Sequence, residues 1–473
     1  MRAVGVDQGT TGSKSFTLDD EGLFRPVAGF EHRQIYPRAG WVEHDPEELL
    51  GHVAAAIAAA GPVDCIGIDN QGETVVAWDA RTGRAIANAI VWQDDRTKNI
   101  TAALKSSGAE ELTLRTAGLP LDPYFSASKL RWLLDNVPEA AELRREGRLR
   151  LGTSDAFFLD RLAGCFATDV TTASRTSLMS LDSVSWDPAL CQLFGVPIEC
   201  LPEIRPTAGG FGEIGGVPVT ASLVDQQAAL FGHGCAGPGD AKVTFGTGAF
   251  ALAVAGPSRI DGSRFGILPT LAWKIDGHPV EFAIDGGVYN AGSAVNWARG
   301  LGLFGDFAEI EVFARDPAIL RDIAFVPALS GLACPHWDRN GAGLWIGLGL
   351  ETNRSDLIQS VLEGVALRAA EVLDAIGKLV PLGERISVDG GMAKNPYFLS
   401  FLSTVLDKTL LVPSSTDLTG LGAARMAFRG MGVTDLPPLP PPRRMVEPTG
   451  RYGTAARERF AAAISRAKNW KSR

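Results

Sequence analysis

Short runs of apolar residues, bounded by glycine, proline and acidic residues, recur in both halves of the chain and predict β-strands. These runs occupy residues 2–7, 64–69 and 74–79 in the first half, and 242–245, 249–254, 281–284 and 386–391 in the second. Each half begins with a strand, a turn that carries Gly and Thr, and a further strand. The pattern therefore predicts two halves of related architecture.

Longer stretches with apolar residues at near-helical spacing predict helices between these strands. The clearest covers 356–376, and we expect Ser355 to cap its N-terminus. Another begins at Asp45-Pro46-Glu47-Glu48, which offers a capping aspartate and a proline at the first helical position, and it ends at Gly61-Pro62. Further helices are predicted at 126–135, 397–406, 419–430 and from about 452, whereas 171–180 is predicted to be a loop or a short strand.

Strands and helices alternate in both halves, so we expect an α/β protein with an approximate internal duplication of structure. The boundary falls near AGPGD at 236–240, and LPPLPPP at 436–442 has the composition of a stiff extended connector. We predict an N-terminal domain at 1–240, a C-terminal domain at 241–434, and a connector with a terminal helix at 435–473.

Composition excludes several classes of function. Of the 473 residues 45% are hydrophobic, the net charge is −9, and no basic run occurs before the C-terminal region, which argues against nucleic acid as a partner. No apolar run reaches the ~18–20 residues that span a membrane, and the start of the chain lacks the features of a signal peptide. Because the six cysteines lack CxxC spacing, we expect a cytoplasmic protein with reduced thiols. The six histidines show no metal-ligand spacing.

Two turns have the composition of phosphate-binding loops. Gly9-Thr10-Thr11-Gly12 and Gly246-Thr247-Gly248 both offer backbone N–H groups, hydroxyls and close backbone approach. Neither contains GxxxxGK[ST] or the GxGxxG fingerprint, and each alone also fits an ordinary hairpin turn. Together with Asp7 and the turn at Asp389-Gly390-Gly391, they favour a Mg²⁺-nucleotide held between two domains.

Two other groups of residues carry chemistry that the sequence alone leaves open. Asp225, in SLVDQQAALFG, follows an apolar stretch and precedes a predicted helix, so it is either a general base or a helix cap. Glu73, Trp92 and Tyr124 offer an acid for hydroxyl groups and aromatic faces for C–H surfaces, as polyol sites do. They also fit two core aromatics and a surface glutamate.

Several longer stretches carry a resemblance that covers about residues 3 to 432. They include DQGTT, WVEHDPEE, NQGET, AIVWQDDRT, YFSASKLRWLLDN, DVTTASRTSLM, DQQAALFG, FGTGAF, GLWIGLGLETNRSDLIQSVLE and VDGGMAKN. The chain resembles the FGGY carbohydrate kinases, and within them the glycerol kinase branch. YFSASKLRWLLDN and GLWIGLGLETNRSDLIQSVLE fit the two signature patterns of the family.

The resemblance implies an α/β fold with two ribonuclease-H-like domains of the actin, hexokinase and Hsp70 type, and with ATP in the cleft between them. It implies ATP-dependent phosphorylation of a terminal hydroxyl of a small polyol. Glycerol is the expected acceptor and Mg²⁺ the expected cofactor. The resemblance also leads us to expect a homodimer.

The same resemblance assigns roles to individual residues. Asp225 would be the catalytic base, and Asp7 and Asp225 would hold Mg²⁺. The nucleotide-binding residues would be Thr10, Thr11, Lys14, Thr247, Gly248, Gly331, Gly391 and Asn395. The acceptor-binding residues would be Gly72, Glu73, Trp92, Tyr124, Asp225, Gln226 and Phe250.

Two positions depart from the glycerol kinase pattern near the expected acceptor pocket. Gly72 stands in NQGET where that branch reads NQRET, and Asp95 stands in WQDDRT where it commonly reads WQDRRT. An unpaired buried hydroxyl costs about 1–3 kcal/mol. The acceptor is therefore glycerol, bound weakly, or a longer polyol such as a four-carbon tetritol that fills the space at Gly72, or a ketose.

Two other functional classes compete with a kinase. A non-catalytic ATP-binding clamp or sensor would share the fold, but Asp7, Asp225 and both Gly/Thr turns are intact, which argues for turnover. A polyol dehydrogenase would need a dinucleotide fingerprint or zinc ligands, and the sequence has neither pattern.

Overall fold

The computed structural model describes residues 1–471, along which strands and helices alternate. The fourteen α-helices of this range are α1 (Pro46–Ala59), α2 (Lys98–Ser106), α3 (Glu110–Thr116), α4 (Ser126–Asn136), α5 (Pro138–Arg145), α6 (Ser154–Ala163), α7 (Val170–Ser174), α8 (Pro188–Phe194), α9 (Asp225–Gly232), α10 (Gly292–Gly300), α11 (Arg354–Gly377), α12 (Pro396–Leu406), α13 (Leu418–Gly430) and α14 (Gly453–Ala467).

The strands of the same range are β1 (Arg2–Gln8), β2 (Gly12–Asp19), β3 (Phe24–Glu31), β4 (Glu43–His44), β5 (Cys65–Asn70), β6 (Val75–Asp79), β7 (Ala89–Ile90), β8 (Leu149–Thr153), β9 (Ala167–Asp169), β10 (Met179–Ser180), β11 (Ser185–Trp186), β12 (Glu203–Arg205), β13 (Glu213–Ile214), β14 (Val217–Val224), β15 (Ala241–Phe245), β16 (Ala249–Gly256), β17 (Leu268–Lys274), β18 (Val280–Val288), β19 (Ala324–Val326), β20 (Leu344–Ile346), β21 (Arg385–Gly390), β22 (Thr409–Val412) and β23 (Arg444–Val446).

The first half is built on a six-stranded sheet in the order β13-β14-β5-β1-β2-β3. Strands β1, β2 and β3 form an antiparallel meander, and β5 and β14 follow on the other side of β1, all parallel to it. Ligands of open α/β sheets bind beyond the carboxyl ends of parallel strands. Because β1, β5 and β14 run parallel, the residues at their C-terminal ends lie together at one edge of the sheet.

The second half repeats this arrangement in a seven-stranded sheet, in the order β17-β18-β16-β15-β21-β22-β23. Strands β15, β16 and β18 are antiparallel, and β21 and β22 extend parallel from β15. The two sheets therefore share a meander of three strands followed by two parallel strands. This repetition confirms the predicted fold of two ribonuclease-H-like halves.

The predicted start of α1 is confirmed, because the Asp45 side chain caps it by accepting a hydrogen bond from the Glu47 N–H at 3.0 Å. The predicted cap of α11 is wrong. Asn353, not Ser355, caps this helix by accepting from the Ser355 N–H at 2.9 Å. Asp356 in turn accepts from the Asn353 N–H at 3.0 Å, and this reciprocal pair fixes the start two residues earlier than predicted.

The prediction for residues 171–180 is wrong for its first part. Residues 170–174 form the short helix α7, and 179–180 form the two-residue strand β10. Asp169 starts this helix, because its carboxylate accepts from the N–H groups of Thr171 and Thr172 at 2.9 and 2.8 Å. A strong cap thus produces a single helical turn where the apolar pattern has no helical period.

Helix α13 lies on the first sheet although it comes late in the chain. It packs against β1, β5, β14 and α9, and a hydrophobic cluster joins residues of α13 and the first sheet to residues of β16, β17 and β18. Helix α14, in contrast, packs against α11, α12 and β19 of the second half. The domain limits at 240 and 434 stay a prediction.

None of the helices among residues 1–471 has both the length and the apolar character that crossing a membrane requires.

Candidate active site

The first Gly/Thr turn joins β1 to β2 at the carboxyl edge of the first sheet. The Gly9 N–H donates to Gly12 O at 3.0 Å and closes the turn. Asp7 lies at the base of the turn. Its Oδ1 atom would be 3.6 Å from a Cβ atom added to Gly9. Thr11 is exposed at the tip, whereas Thr10 lines a cavity between the two halves.

Lys14 follows this turn on β2, with its ammonium group engaged by an acid. Nζ donates to the Asp417 Oδ1 atom at 3.1 Å, although the Lys14 side chain is 57% exposed. Asp417 immediately precedes α13. A nucleotide phosphate at Lys14 would compete with this carboxylate, and the phosphate contact stays a prediction.

The second Gly/Thr turn joins β15 to β16 and borders a cavity of about 540 Å³ in the second half. The start of α10 supports the turn, since the Gly292 N–H donates to Gly246 O at 2.9 Å and the Ser293 N–H to Thr247 O at 3.0 Å. Thr247, Gly391 and Asn395 all line this cavity. The structure thus brings three predicted nucleotide-binding residues to one cavity.

Two other predicted nucleotide-binding residues lie outside this cavity. Gly248 lines an adjoining cavity of about 500 Å³. Gly331 borders neither cavity, and its N–H donates to Ala328 O at 3.1 Å within its own loop. The side chain of Asn395 already serves the fold, because it caps α12 through the Phe398 N–H and donates to Ile310 O, both at 2.8 Å.

A cavity of about 80 Å³ lies where the first half meets the second. We call it the acceptor cavity, and its walls are Thr10, Gly72, Glu73, Trp92, Tyr124, Arg175, Val224, Asp225, Gln226, Gln227, Phe250, Leu252 and Asp285. All the predicted acceptor-binding residues are in this set. These predicted residues come from five separate stretches of sequence, which the fold brings to one small space.

Glu73 reaches this cavity from a tight and strained turn. The Thr74 N–H donates to Gly72 O at 2.7 Å, and Glu73 between them has a φ of 58°, in the left-handed region that non-glycine residues rarely adopt. Burial raises the pKa of Glu73, and the charge of Arg175 partly offsets that rise. Such strain persists where the surroundings hold a side chain in a required direction.

Arg175 and Asp285 are cavity residues that the sequence analysis did not identify. Arg175 Nε donates to the Glu73 Oε1 atom at 2.7 Å, and Nη1 donates to the Asp285 Oδ2 atom at 3.2 Å. This buried acid–base–acid group joins the first half to β18 of the second. Arg175 lies in the quoted stretch DVTTASRTSLM, so a signal existed for it, whereas Asp285 sits in an apolar strand and gave none.

Aromatic side chains form another wall of the acceptor cavity. Trp92 Nε1 donates to the Thr10 Oγ1 atom at 2.9 Å and its ring meets the Tyr124 ring edge-on, with centroids 5.6 Å apart. Phe250 contributes from the second half and keeps 37% of its surface exposed. Oriented rings of this kind offer apolar faces to the carbon atoms of a ligand.

Asp225 is the first residue of α9 and faces the acceptor cavity. Burial raises the pKa of its carboxyl group to about 7, and the charges of Glu73 and Asp7 act in the same direction. Its neighbour Gln226 is held by the buried Lys242, whose Nζ donates to the Gln226 Oε1 atom at 2.8 Å. Asp225 therefore has the position and the proton affinity of a general base.

The two departures from the glycerol kinase pattern have different surroundings from those expected. A Cβ on Gly72 would lie 2.7 Å from the Val224 Cγ2 atom, so the predicted free space at Gly72 is already filled. Asp95 lies outside the acceptor cavity, where its carboxylate pairs with Lys98 at 3.2 Å. The expectation that residue 95 shapes the pocket is wrong, because its side chain points to the surface.

The carboxylates beside the first turn are suited to a hard cation. Burial raises the pKa of Asp7 to about 6. Asp69, opposite Asp7 in the register of β1 and β5, is fully buried, and neither of its carboxylate oxygens has a hydrogen-bond partner among the described residues. Burial and the charges of Asp7 and Asp225 raise its pKa well above the ordinary value. Carboxylate oxygens of this kind are the ligands that Mg²⁺ prefers.

A second group with metal-ligand spacing within residues 1–471 is His32, Glu48 and His52. The Nδ1 atoms of the two histidines are 2.9 Å apart, and their rings are stacked nearly parallel, with an angle of 14° between the ring planes. Two ring nitrogens at this distance share a proton in a hydrogen bond. While one Nδ1 atom carries that proton, the two Nδ1 atoms cannot both be ligands of one ion.

Comparison with known proteins gives consistent results along the whole chain. Residues 2–232 match the N-terminal domain of the FGGY family of carbohydrate kinases, and residues 241–431 match its C-terminal domain. A glycerol kinase of Methylorubrum populi is 43% identical over 451 residues, which cover 91% of this chain and 90% of that protein. A glycerol kinase of Koribacter versatilis is 38% identical over an alignment of 494 positions, which covers 99% of this chain and 98% of that protein.

Solved structures show the same likeness. A Plasmodium falciparum glycerol kinase with ADP superposes with a TM-score of 0.91 at 28% identity, over 98% of both chains. A gluconate kinase of Lactobacillus acidophilus gives a TM-score of 0.86 at 20% identity, over 98% of this chain and 97% of that one, which is a likeness of fold alone.

Proposed function

We propose that this chain, which belongs to the FGGY family of carbohydrate kinases, transfers the γ-phosphoryl group of ATP to a terminal hydroxyl of glycerol. Family membership makes the chain an ATP-dependent kinase, and the proposal concerns its acceptor and the roles of its residues. The observation that carries it is the small acceptor cavity, in which Asp225 lies with an acid–arginine pair and aromatic faces. The two relatives named above, both glycerol kinases, support the choice of acceptor.

The acceptor would be held by groups that match a short polyol. Glu73 and Arg175 offer an acceptor and donors for hydroxyl groups, and their own ion pair at 2.7 Å keeps both in place. Trp92, Tyr124 and Phe250 would contact the carbon chain. The acceptor cavity of about 80 Å³ suits an acceptor of few atoms, and it shares Trp92, Tyr124, Arg175, Phe250 and Asp285 with the cavity of about 500 Å³.

Asp225 would accept the proton of the attacking hydroxyl. Its raised pKa of about 7 makes it a stronger base than an ordinary aspartate and still leaves much of it ionised near neutral pH. Holding the hydroxyl beside this carboxylate replaces an encounter in solution by a fixed geometry. Closure of the two halves around the acceptor would exclude water, which otherwise competes for the phosphoryl group.

The nucleotide would lie along the two Gly/Thr turns. Their backbone N–H groups and the hydroxyls of Thr10, Thr11 and Thr247 would contact phosphate oxygens, and the 540 Å³ cavity at Gly391 and Asn395 would take the adenosine. Asp7 and Asp225 would hold Mg²⁺, because Asp7 lies at the base of the first turn and its charge acts on the carboxyl group of Asp225. When bound, Mg²⁺ supplies positive charge to the transferring phosphoryl group.

The wall at Gly72 supports glycerol over a four-carbon polyol as the acceptor. A tetritol would need room at residue 72 for one further hydroxymethyl group. Val224 occupies that room with a methyl group, so the extra carbon would meet an apolar obstacle.

A coupled assay of ADP release across a panel of acceptors tests the proposal. The panel contains glycerol, erythritol, D- and L-threitol, ribitol, xylitol, dihydroxyacetone and ketopentoses, and we expect glycerol to have the highest kcat/KM. The D225N variant is the control for turnover at this site. A tenfold or larger preference for another acceptor would contradict the proposal, and ATP binding without turnover of any acceptor would favour the clamp.

The homodimer and the cytoplasmic location stay predictions. Light scattering coupled to size-exclusion chromatography would measure the mass of the particle, for which we expect twice the 50.1 kDa of one chain.

A further inference from the structure

Gly72 and Val224 meet across the wall of the acceptor cavity. Both line the cavity, and a Cβ on Gly72 would stand 2.7 Å from the Val224 Cγ2 atom, well inside the usual contact distance of about 3.5–4.0 Å between carbon atoms. The methyl group of Val224 therefore fills the volume that a side chain at residue 72 would occupy. Either residue 72 or residue 224 can be large here, but not both.

The backbone on the Gly72 side of this contact is fixed. Gly72 lies between two hydrogen bonds, from the Gln71 N–H to Gln8 O and from the Thr74 N–H to Gly72 O, both at 2.7 Å. Asn70, just before it, donates from its side chain to Gln71 O and to the Ser154 Oγ atom, both at 3.2 Å. A Cβ at residue 72 could not be accommodated by a local shift of this turn.

The Val224 side is held as firmly. Val224 is the last residue of β14 and pairs in register with Asn70, and its N–H donates to the Thr171 Oγ1 atom at 3.0 Å. A β-branched side chain has few rotamers, so the methyl group cannot easily turn away. Val224 also directly precedes Asp225, so it forms the part of the cavity wall next to the proposed base.

We propose that Val224 is a specificity-determining residue, which limits the length of the acceptor by filling the space over Gly72. The inference rests on the proposed kinase function, because it concerns the same cavity. It identifies the chemical class excluded at this wall, namely polyols with one further hydroxymethyl group. Truncating Val224 should admit them.

The first test measures acceptor preference in V224A. We expect kcat/KM for erythritol, relative to glycerol, to rise by about tenfold or more, because one methylene in a pocket changes selectivity by about 10–200-fold. The change should appear mainly as a lower KM for erythritol, since the base and the phosphate turns are untouched. V219A is the matched control, because Val219 is a fully buried valine of the same strand outside the cavity, and its ratio should stay unchanged.

The second test is a double-mutant cycle of G72A, V224A and G72A/V224A. We expect G72A alone to lower both the Tm and kcat/KM for glycerol, and V224A to rescue both in the double variant. An additive cycle, or an unchanged acceptor ratio in V224A, would overturn the inference. If the parent enzyme prefers another acceptor, the proposed function fails, and the ratio is then measured between that acceptor and its homologue one carbon longer. If it uses none, the Tm cycle still decides whether the two residues compete for one space.

Discussion

Asp225 has a carboxyl group whose proton affinity suits catalysis near neutral pH. Burial, Glu73 and Asp7 raise its pKa to about 7, so below that pH the carboxylate form that a base requires becomes the minor form. We expect kcat/KM for glycerol to fall about tenfold for each pH unit below about 7. A pH profile of initial rates at low glycerol concentration measures this dependence.

The D225N variant provides the comparison for that profile. It should lose about 10²–10⁴-fold in kcat, as removal of a general base does, while calorimetry in the absence of Mg²⁺ should show unchanged affinity for ADP. An acid limb near pH 4 in the parent enzyme would contradict the raised pKa of Asp225, and a D225N variant with full turnover would contradict the assignment of the base.

Arg175 connects two acids that come from different halves of the molecule. The guanidinium donates to Glu73 from Nε and to Asp285 from Nη1, whereas lysine carries all its donors on a single nitrogen and cannot reproduce this geometry. We expect R175K to raise the KM for glycerol about 10–100-fold, as loss of a buried charged hydrogen bond predicts, with a smaller change in kcat. Steady-state kinetics measures both constants.

The control for R175K is R84K, because Arg84 pairs with Glu139 on the surface and lines none of the three cavities described above. R84K should leave both kinetic constants unchanged. A KM in R175K equal to that of the parent enzyme would show that Arg175 supports the fold without contacting the acceptor.

At the level of residues, the sequence predicted those cavity residues that lie within a recognisable motif. Glu73, Trp92 and Asp225 each lie in an extended motif, and each reaches the cavity. The Arg175–Asp285 pair joins residues 110 positions apart, and no local pattern shows such a contact. The filling of the space at Gly72 was also missed, because it depends on how β5 and β14 lie side by side.

Among the elements, α13 shows how glycine permits a close contact between a helix and its neighbours. A Cβ on Gly422 would lie 1.8 Å from Ala228 O of α9, and one on Gly67 of β5 would lie 2.1 Å from Ala423 O of α13. We expect G422A to reduce the free energy of unfolding by several kcal/mol, since overpacking costs about 1–3 kcal/mol even where neighbours can adjust. Chemical denaturation measures the change.

Gly51 is the matched control for G422A. It lies inside α1, where a Cβ would meet nothing within 4 Å. Because alanine has a higher helix propensity than glycine, G51A should raise the free energy of unfolding by about 0.5–1 kcal/mol. Equal effects of the two substitutions would show that the contact of α13 with α9 is not tight.

The existence of most elements could be predicted, and their partners could not. The capping residues predicted α1, and the apolar pattern predicted α11 and α13, all to within a few residues, because these signals are local. The packing of α13 on the first sheet depends on glycines of β5 and α9 that are distant in the chain. No period along α13 itself indicates which sheet it covers.

For the whole molecule, buried carboxyl groups make folding depend on pH. The pKa of Asp7 rises from 3.8 to about 6, that of Asp225 to about 7, and that of Asp69 well above its ordinary value, in each case chiefly by burial. Between pH 4 and 7 the folded chain keeps protons at these groups that the unfolded chain has lost. Their contribution to the free energy of unfolding therefore falls as the pH rises through this window.

Comparison of D69N with the parent protein isolates one of these groups. His32 and His44 have pKa values lowered to about 4 by burial and change stability in the opposite direction, but both proteins contain them. We expect the free energy of unfolding of the parent, minus that of D69N, to fall as the pH rises from about 4 to 7. Urea denaturation without ligands measures it, and a difference independent of pH would contradict the raised pKa of Asp69.

The position of α13 has a consequence for how the two halves are tied together. The chain passes from the first half to the second at 233–240, returns at 413–417 to form α13, and passes to the second again at 431–443. Three connections therefore join the halves. A single cut by a protease cannot release either half as a separate body, and a gene fragment that ends at the first crossing would encode a sheet without its covering helix.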